Sequence, residues 1–336
     1  MKVPIKKASL VGGAALATLA LAACTTSAPA PSEGSGDGWV PEGNITMIVP
    51  FSVGGGSDMF GRAVASGLEE VRPGINVTVE NREGGSGTIG YSYFLEQEGD
   101  PHFLLPTETG LISGPARNSE LLYDWQTFTP IGMLVDDVNW IVVSADSGWE
   151  TFDDFVEDAK KLTADGKPIT VGLPSADGTE AVPTHDLLEG LGIDVEPVVF
   201  DGGGETIPAL LSGDIQAMVA NAGEVAGQVE AGQFIPLIGY GETTIDEGAY
   251  DGVPTTGTAG YDVNLDFGQF RGVLAPPNVS AEAQQYYEDA LKDWTETDSF
   301  AEYVKSAGLT VKVRWGQDWQ DYLNSLAEEF VAVYGE

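Results

Sequence analysis

One cysteine and two histidines are all the thiol and imidazole chemistry in this 336-residue chain. A lone cysteine forms no internal disulfide, and it excludes a zinc cluster built on paired thiolates. His102 and His185 show no paired-ligand spacing, and they are the only imidazole bases a serine nucleophile could use. Basic residues are scarce as well: 15 against 52 acids, for a formal charge of −37. Nucleic acid is therefore not expected as a partner, because binding it needs a basic patch that displaces counterions. Past the N-terminus, no apolar run reaches the ~20 residues that span a bilayer. The acidity favours solubility and imposes a condition. Any anionic ligand must be held by a local positive field against the global one.

What is present begins at the N-terminus. Lys2, Lys6 and Lys7 form a basic region, followed by an uncharged Ala/Leu-rich run from Ala8 to Ala23. That run is short for a membrane span and ends in small residues, as signal peptides do. Leu21-Ala22-Ala23-Cys24 looks like a bacterial lipobox, in which Cys24 becomes the lipidated first residue of the mature chain. An ordinary secretory signal followed by a stray cysteine is the plainer alternative. On the first reading, 1–23 is a lipoprotein signal peptide, and the protein is exported and held to the membrane through lipid on Cys24 alone. Loss of three lysines and no acid would take the charge from −37 to −40. Residues 24–43 read as a flexible tether, since "TTSAPAPSEGSGDG" cannot bury enough apolar surface to offset its ordering entropy.

The remainder is long enough for two α/β domains. "NITMIVPF" reads as a buried strand stopped by Pro50, and residues 57–70 place Met59, Phe60, Val64 and Leu68 at helical spacing. "INVTVEN" alternates as a strand and runs into the glycine-rich "REGGSGTIG", then the short helix "YSYFLEQ" and the strand "HFLLPTETG". Later, "TFDDFVEDAKKL" reads as a helix with Thr151 as N-cap and Asp154 at the capping-box position. "PITVGL", "VEPVVF", "IQAMVAN", "FIPLIGY" and "FRGVLAPP" are further strands, and helices are expected over about 280–306 and 317–334. The strand–helix alternation predicts parallel sheets with right-handed crossovers.

The chemistry-bearing candidates are glycine turns at strand C-termini, where open α/β sheets bind ligands. The first, "VPFSVGGGSDMFGR", fails as a nucleotide loop. Gly56 and Gly61 have P-loop spacing, but Arg62 and Ala63 replace the lysine and the magnesium-binding hydroxyl; the dinucleotide fingerprint fails at Met59. "GGSGT" misses the serine-hydrolase elbow at Thr88. No catalytic constellation, metal site or cofactor site is indicated. The turn does supply free N–H groups at a helix N-terminus, which together with the helix dipole favour a carboxylate or phosphate. Ser57 or Asp58 would cap that helix. The plainer alternative is that Gly54 to Gly56 only permit a tight turn. "PSADGT" and "FDGGGET" repeat the arrangement further on, which points to a cleft lined by helix N-termini.

Taken together, "ITMIVPFSVGGGSDMFGR", "VTVENREGGSGTIG", "ALLSGDIQAMVAN", "GVPTTGTAGYDV" and "RGVLAPPNVS" resemble the motifs of the tripartite tricarboxylate transporter substrate-binding proteins, or Bug family. The resemblance covers nearly all of the chain after the tether. It implies an α/β, two-lobed periplasmic-binding-protein-like (Venus flytrap) fold, each lobe a mostly parallel sheet flanked by helices. The expected division is 44–138 with 268–336 as lobe 1, and 139–267 as lobe 2. It further implies a monomeric receptor that captures a small organic acid, a carboxylate of a class that includes tricarboxylates, for large and small membrane permease subunits. Carried over by position, first-lobe contacts are Ser52, Gly55, Gly56, Ser57 and Asp58, with Thr107, Glu108 and Thr109 on the next polar turn. From the second lobe come Asp177, Gly178 and Thr179, then Asp201, Gly202 and Gly203, and Asn221; Phe270 stands where an aromatic residue closes the site.

The chain departs from the pattern in ways that bear on charge. Asp201 stands where many members carry lysine, Glu180 replaces a serine, and Glu108 adds a further acid. A zwitterionic or cationic ligand is therefore an open alternative, as is a sensor subunit signalling to a membrane kinase. Arg62 reads as the partner of a surface acid, Arg82 as an organiser of the glycine loop beneath the site, and Arg271 as a hinge-region ion pair. Gly56→Asp is expected to abolish binding and leave the fold intact.

Overall fold

A computed structural model describes residues 39–175, 180–242, 244, 250–261, 263 and 269–334. The leader and residues 24–38 of the tether, Cys24 included, lie outside the described residues, as do Asp177, Gly178 and Thr179. In chain order, β1 (Ile45–Val49) passes through Pro50 and the first glycine loop into α1 (Gly56–Val71). β2 (Val77–Asn81) leads into α2 (Thr88–Leu95), and β3 (Phe103–Glu108) into α3 (Gly110–Arg117). β4 (Thr129–Asp137) and β5 (Asn139–Ser144) are separated by Val138 alone. Then follow α4 (Phe152–Ala164), β6 (Ile169–Leu173), α5 (Ala181–Gly190), β7 (Val195–Val199), α6 (Gly203–Ser212), β8 (Ala217–Asn221), α7 (Ala222–Glu230) and β9 (Phe234–Gly239). The remainder is α8 (Thr256–Ala259), β10 (Gln269–Ala275), α9 (Ala281–Thr295), α10 (Asp298–Ser306), β11 (Thr310–Trp315) and α11 (Gly316–Tyr334).

These strands make two sheets. One has six strands in the order β11-β4-β10-β3-β1-β2; the other has five, in the order β7-β6-β8-β5-β9. The α/β class with helix-flanked sheets is the one expected, but the sheets are mixed. β1 pairs in parallel with β2 and β3, and β6 with β7 and β8, as strand–helix–strand crossovers require. β10 runs antiparallel to β3 and β4, and β5 antiparallel to β8 and β9. The cause lies at Val138, where the chain leaves one sheet as β4 and enters the other as β5. It is back in the six-stranded sheet at β10.

Each sheet is packed on both faces. Val49, Phe60, Val64, Leu68 and Trp294 fill one face of the six-stranded sheet, and Tyr91, Phe94, Phe270, Trp319 and Phe330 the other. Such side chains stabilise by about 1.5–3 kcal/mol each when fully buried. The α1 helix forms because Phe60, Val64 and Leu68 recur at helical spacing on its buried side. Thr151 caps α4 as expected: its Oγ1 accepts from the Asp154 N–H at 3.2 Å, and Asp154 Oδ2 accepts from the Thr151 N–H at 3.1 Å. The two crossing points, Asp137 to Asn139 and the start of β10, bring buried polar residues between the sheets.

Candidate functional site

The first glycine loop is fixed from below. Asp58 accepts from the Gly54 N–H at 2.9 Å, from Arg62 Nε at 2.9 Å and from Asn81 Nδ2 at 2.9 Å. Asn81 Nδ2 also donates to the Phe51 carbonyl at 3.0 Å, which ties the loop to β2. Burial pushes the Asp58 carboxyl up, but the bonds from Arg62, Gly54 and Asn81 outweigh it, so its pKa falls below the ordinary value. Asp58 is thus a brace for the loop, turned away from the cleft. The residue at the N-cap of α1 is Gly55, in place of the expected Ser57 or Asp58. Arg62 pairs with an acid, but that acid is the buried Asp58 and not one on the surface. Arg82 does not organise the loop with its side chain, which pairs with Glu80 at 2.6 Å and lies over the Tyr93 ring.

A second glycine loop, between β7 and α6, meets the first at backbone contact. The Ser52 N–H donates to the Asp201 carbonyl oxygen at 3.1 Å. Gly202 has φ +142°, and a Cβ there would stand 2.8 Å from Ser52 N, so both conformation and space require glycine. A Cβ on Gly55 would be 3.3 Å from Gly203 N. The Asp201 side chain itself is exposed. The charge reversal at this position lines neither of the two spaces described below.

Between the loops lies a polar floor centred on Arg271, which is 2% exposed. Its guanidinium binds Asp137 Oδ2 through Nε at 2.9 Å and Nη2 at 2.8 Å. It donates to Ser57 Oγ at 3.0 Å and to Asn221 Oδ1 at 2.7 Å. Asn221 Nδ2 in turn donates to Asn139 Oδ1 at 2.9 Å and Gln269 Oε1 at 3.2 Å. Arg271 thus joins β10, β4, α1 and β8. Burial pushes the Asp137 carboxyl up and the guanidinium opposes that rise. Glycine is needed at position 56 because a Cβ would overlap the Arg271 guanidinium and stand 2.7 Å from Asn221 Oδ1.

Gly55, Gly56, Ser57, Glu108, Gly202, Gly203 and Asn221 line one narrow pocket of about 30 Å³, together with Phe51, Pro174, Ser175, Glu180, Glu224, Gln269 and Arg271. That is room for roughly two waters. A neighbouring chamber of about 280 Å³ shares Phe51 and Ser175 with it and extends over Gly85, Ser86 and Thr88 at the start of α2 and Gly110 at the start of α3. Its volume approaches the ~300 Å³ lower bound of ordinary small-molecule pockets.

Besides Asp58 and Asp201, four predicted site residues stand apart from both spaces. Thr107 is buried inside β3, paired with Gly272, and Thr109 spends its hydroxyl accepting from the Phe270 N–H at 3.1 Å. Ser52 faces Gly202 rather than the pocket. Phe270 does not close the site. Its ring is fully buried in the core against Trp319 and Tyr322, because strand alternation turns Gln269 and Arg271 to the cleft and residue 270 away from it.

The sequence reading missed Glu224, Gln269, Ser175 and Phe51 as cleft residues. Two signals were available: the N-A-G-E spacing of a capping box at Asn221 to Glu224, and the alternation in "QFR". Among the described residues lining the narrow pocket, Arg271 is the one cation and it is already paired with Asp137. Glu108, Glu180 and Glu224 all face it. Glu108 accepts from Tyr91 Oη at 3.1 Å and the Gly110 N–H at 2.7 Å. Burial pushes Glu180 up to about 7, with the Glu108 charge adding to the rise. Burial likewise pushes Glu224 up to about 7, against the opposing pull of Arg271 and the Gly56 N–H. What the cleft offers an anion is backbone. The first intrahelical bond of α1 runs from Met59 N–H to the Gly55 carbonyl, which leaves the Gly56, Ser57 and Asp58 amides outside the helix's own ladder.

Comparison with known proteins adds the lineage. The sequence model of the family described as "Tripartite tricarboxylate transporter family receptor" matches residues 60–333. Protein BugT of Bordetella pertussis is 25% identical over 275 residues, 78% of this chain and 80% of its own. The solved structure of the periplasmic binding protein BugD superposes with a TM-score of 0.81 at 21% identity, covering 88% of this chain and 97% of that one. R. palustris Rpa4515, solved with adipate, superposes with a TM-score of 0.77 at 22% identity, covering 87% and 96%.

Proposed function

The chain belongs to the tripartite tricarboxylate transporter receptor family, and from that premise we propose that it is an extracytoplasmic receptor for a small organic acid. In this reading the two sheets are the cores of two lobes, 44–138 with 268–336 and 139–267, and the cleft between them is the capture site. The protein is exported, anchored through lipid on Cys24, and hands its ligand to large and small permease subunits in the membrane. It carries out no chemistry on the ligand.

One observation carries the proposal. At the start of α1, Gly56 and Ser57 line the narrow pocket with amides outside the helix's own ladder, that of Gly56 held by Glu224, and a second glycine loop from the opposite sheet meets them there. A ligand carboxylate accepts from the Gly56 and Ser57 amides, aided by the α1 dipole and by Arg271 behind Ser57. The rest of the ligand occupies the adjoining chamber beside Phe51 and Thr88. A ligand that touches both lobes binds the closed state more tightly and so populates it, and it is that closed state that the permease recognises. The adipate carried by the R. palustris neighbour is consistent in size and class.

A second reading is favoured by one feature, the carboxylates of Glu108 and Glu180 facing one pocket from opposite sheets. An amino group between them would relieve their repulsion, so an amino acid would be held at both ends. Isothermal calorimetry against mono-, di- and tricarboxylates, amino acids and simple amines tests both readings. A saturable heat from an organic acid, lost when its carboxyl is converted to the amide, is the expected result. Amino acids outranking their deaminated counterparts would select the second reading. No saturable heat from any member of the set overturns the receptor proposal.

A further inference from the structure

The Gly56 amide assigned above to the ligand is already engaged by the protein. Glu224 sits in the first turn of α7, and its carboxylate makes two bonds of different kinds. Oε2 accepts from the Asn221 N–H at 3.1 Å, the capping-box bond that a glutamate or glutamine at this position makes within its own helix. Oε1 reaches across the cleft and accepts from the Gly56 N–H, at the start of α1 on the other sheet. Helix capping explains the first bond and leaves the second unexplained.

Space is cleared for this reach. A Cβ on Gly203 would stand 2.5 Å from Glu224 Oε1 and 2.6 Å from Oε2. The carboxylate is desolvated, and its charge faces Arg271 along with the acids Asp137 on β4 and Glu180 before α5. It presents to the α1 N-terminus the same chemical group that an organic acid would present. Gly56 N–H has one proton to donate, so the two cannot share it.

We propose that Glu224 is an internal competitor for the ligand's carboxylate, latching the cleft through Gly56 until an incoming acid displaces it. The inference rests on the reading that a carboxylate docks at the α1 N-terminus. It makes Glu224 a specificity-determining residue. A weakly accepting ligand does not dislodge the latch, whereas an ionised carboxylate offers the Gly56 N–H an acceptor of the same kind and frees the Glu224 side chain.

Two variants of the full chain test this. Glu224→Gln keeps a capping-box residue but loses the charge and one of the two acceptors; Glu224→Ala loses both bonds. In small-angle scattering without added ligand, both variants should show a larger radius of gyration than the wild type, with unchanged circular dichroism. In calorimetry with adipate, or with whichever organic acid gives the strongest heat on the wild type, Glu224→Gln should bind about fivefold more tightly, the worth of one competing hydrogen bond. An unchanged radius in both variants overturns the latch. Affinity that is unchanged or weaker in Glu224→Gln overturns the competition. If no organic acid binds any form, the receptor reading fails by itself, and the scattering comparison still decides the latch.

Discussion

Replacing Arg271 with methionine removes the one cation among the described residues lining the narrow pocket, while nearly preserving the volume of the side chain. The guanidinium is 2% exposed and makes paired bonds of 2.9 and 2.8 Å to Asp137, besides those to Ser57 and Asn221. Without it, Asp137 is a carboxylate in a buried site with no counter-charge, and Asn221 Oδ1 loses its donor. Breaking a buried pair from one side costs about 3–5 kcal/mol, most of it the stranded charge. For a domain of this size that is a fall in Tm of roughly 6–10 °C. Differential scanning calorimetry of Arg271→Met should show it. Adding Asp137→Asn should recover about half or more, because a neutral amide has no charge to strand. Acidification should also narrow the deficit, since protonated Asp137 needs no partner. An Arg271→Met variant that melts within about 1 °C of the wild type, the ~0.5 kcal/mol scale of ordinary surface substitutions, would overturn this.

Other outcomes follow from the same geometry. Phe270→Ala should cost about 3–5 kcal/mol of stability while leaving ligand affinity within about twofold, because the ring is core and not site; a collapse of affinity in a folded variant would return Phe270 to the cleft. Asp201→Lys should change affinity by less than about twofold at physiological salt, since the side chain is exposed and screened. Gly56→Asp should lower stability as well as abolish binding, because its Cβ has no room beside Arg271, so the expectation of an intact fold is withdrawn. Glu180 and Glu224 titrate near 7 when folded against 4.5 for the free group. The folded state therefore holds more protons between those values, and stability falls as pH rises through about 4.5 to 7, by up to about 3 kcal/mol per carboxyl. Melting curves of wild type and Glu180→Gln/Glu224→Gln across that range at high salt should diverge accordingly; parallel curves would contradict it.

How far the sequence speaks depends on whether a signal is local. β1, α1, β2 and the Thr151–Asp154 cap were legible because alternation, helical spacing and capping chemistry are properties of a few neighbouring residues. β4 was not, since "TPIGMLVDD" is buried almost throughout and shows no alternation. α7 was missed because "AGEVAGQVE" has two glycines and a weak apolar face. The antiparallel half of each sheet follows from where the chain crosses at Val138, and no local pattern records that. The site divides in the same way. The glycine loops announce themselves, and their position at strand ends identifies them as cleft-forming. That Asp201 is exposed, that Phe270 is buried in the core, and that Glu224 reaches the loop 168 residues away are consequences of packing. Arg271 was read as an ion pair from its place before an apolar strand. Its central position, holding four elements at once, needed the fold.

The account stands on a ligand carboxylate at the start of α1, so a crystal structure of the protein with an organic acid that gives saturable heat is the direct test. Carboxylate oxygens accepting from the Gly56 and Ser57 amides, with the Glu224 side chain swung clear of Gly56, is the predicted result. An acid bound elsewhere while Glu224 keeps its bond to Gly56 would contradict it.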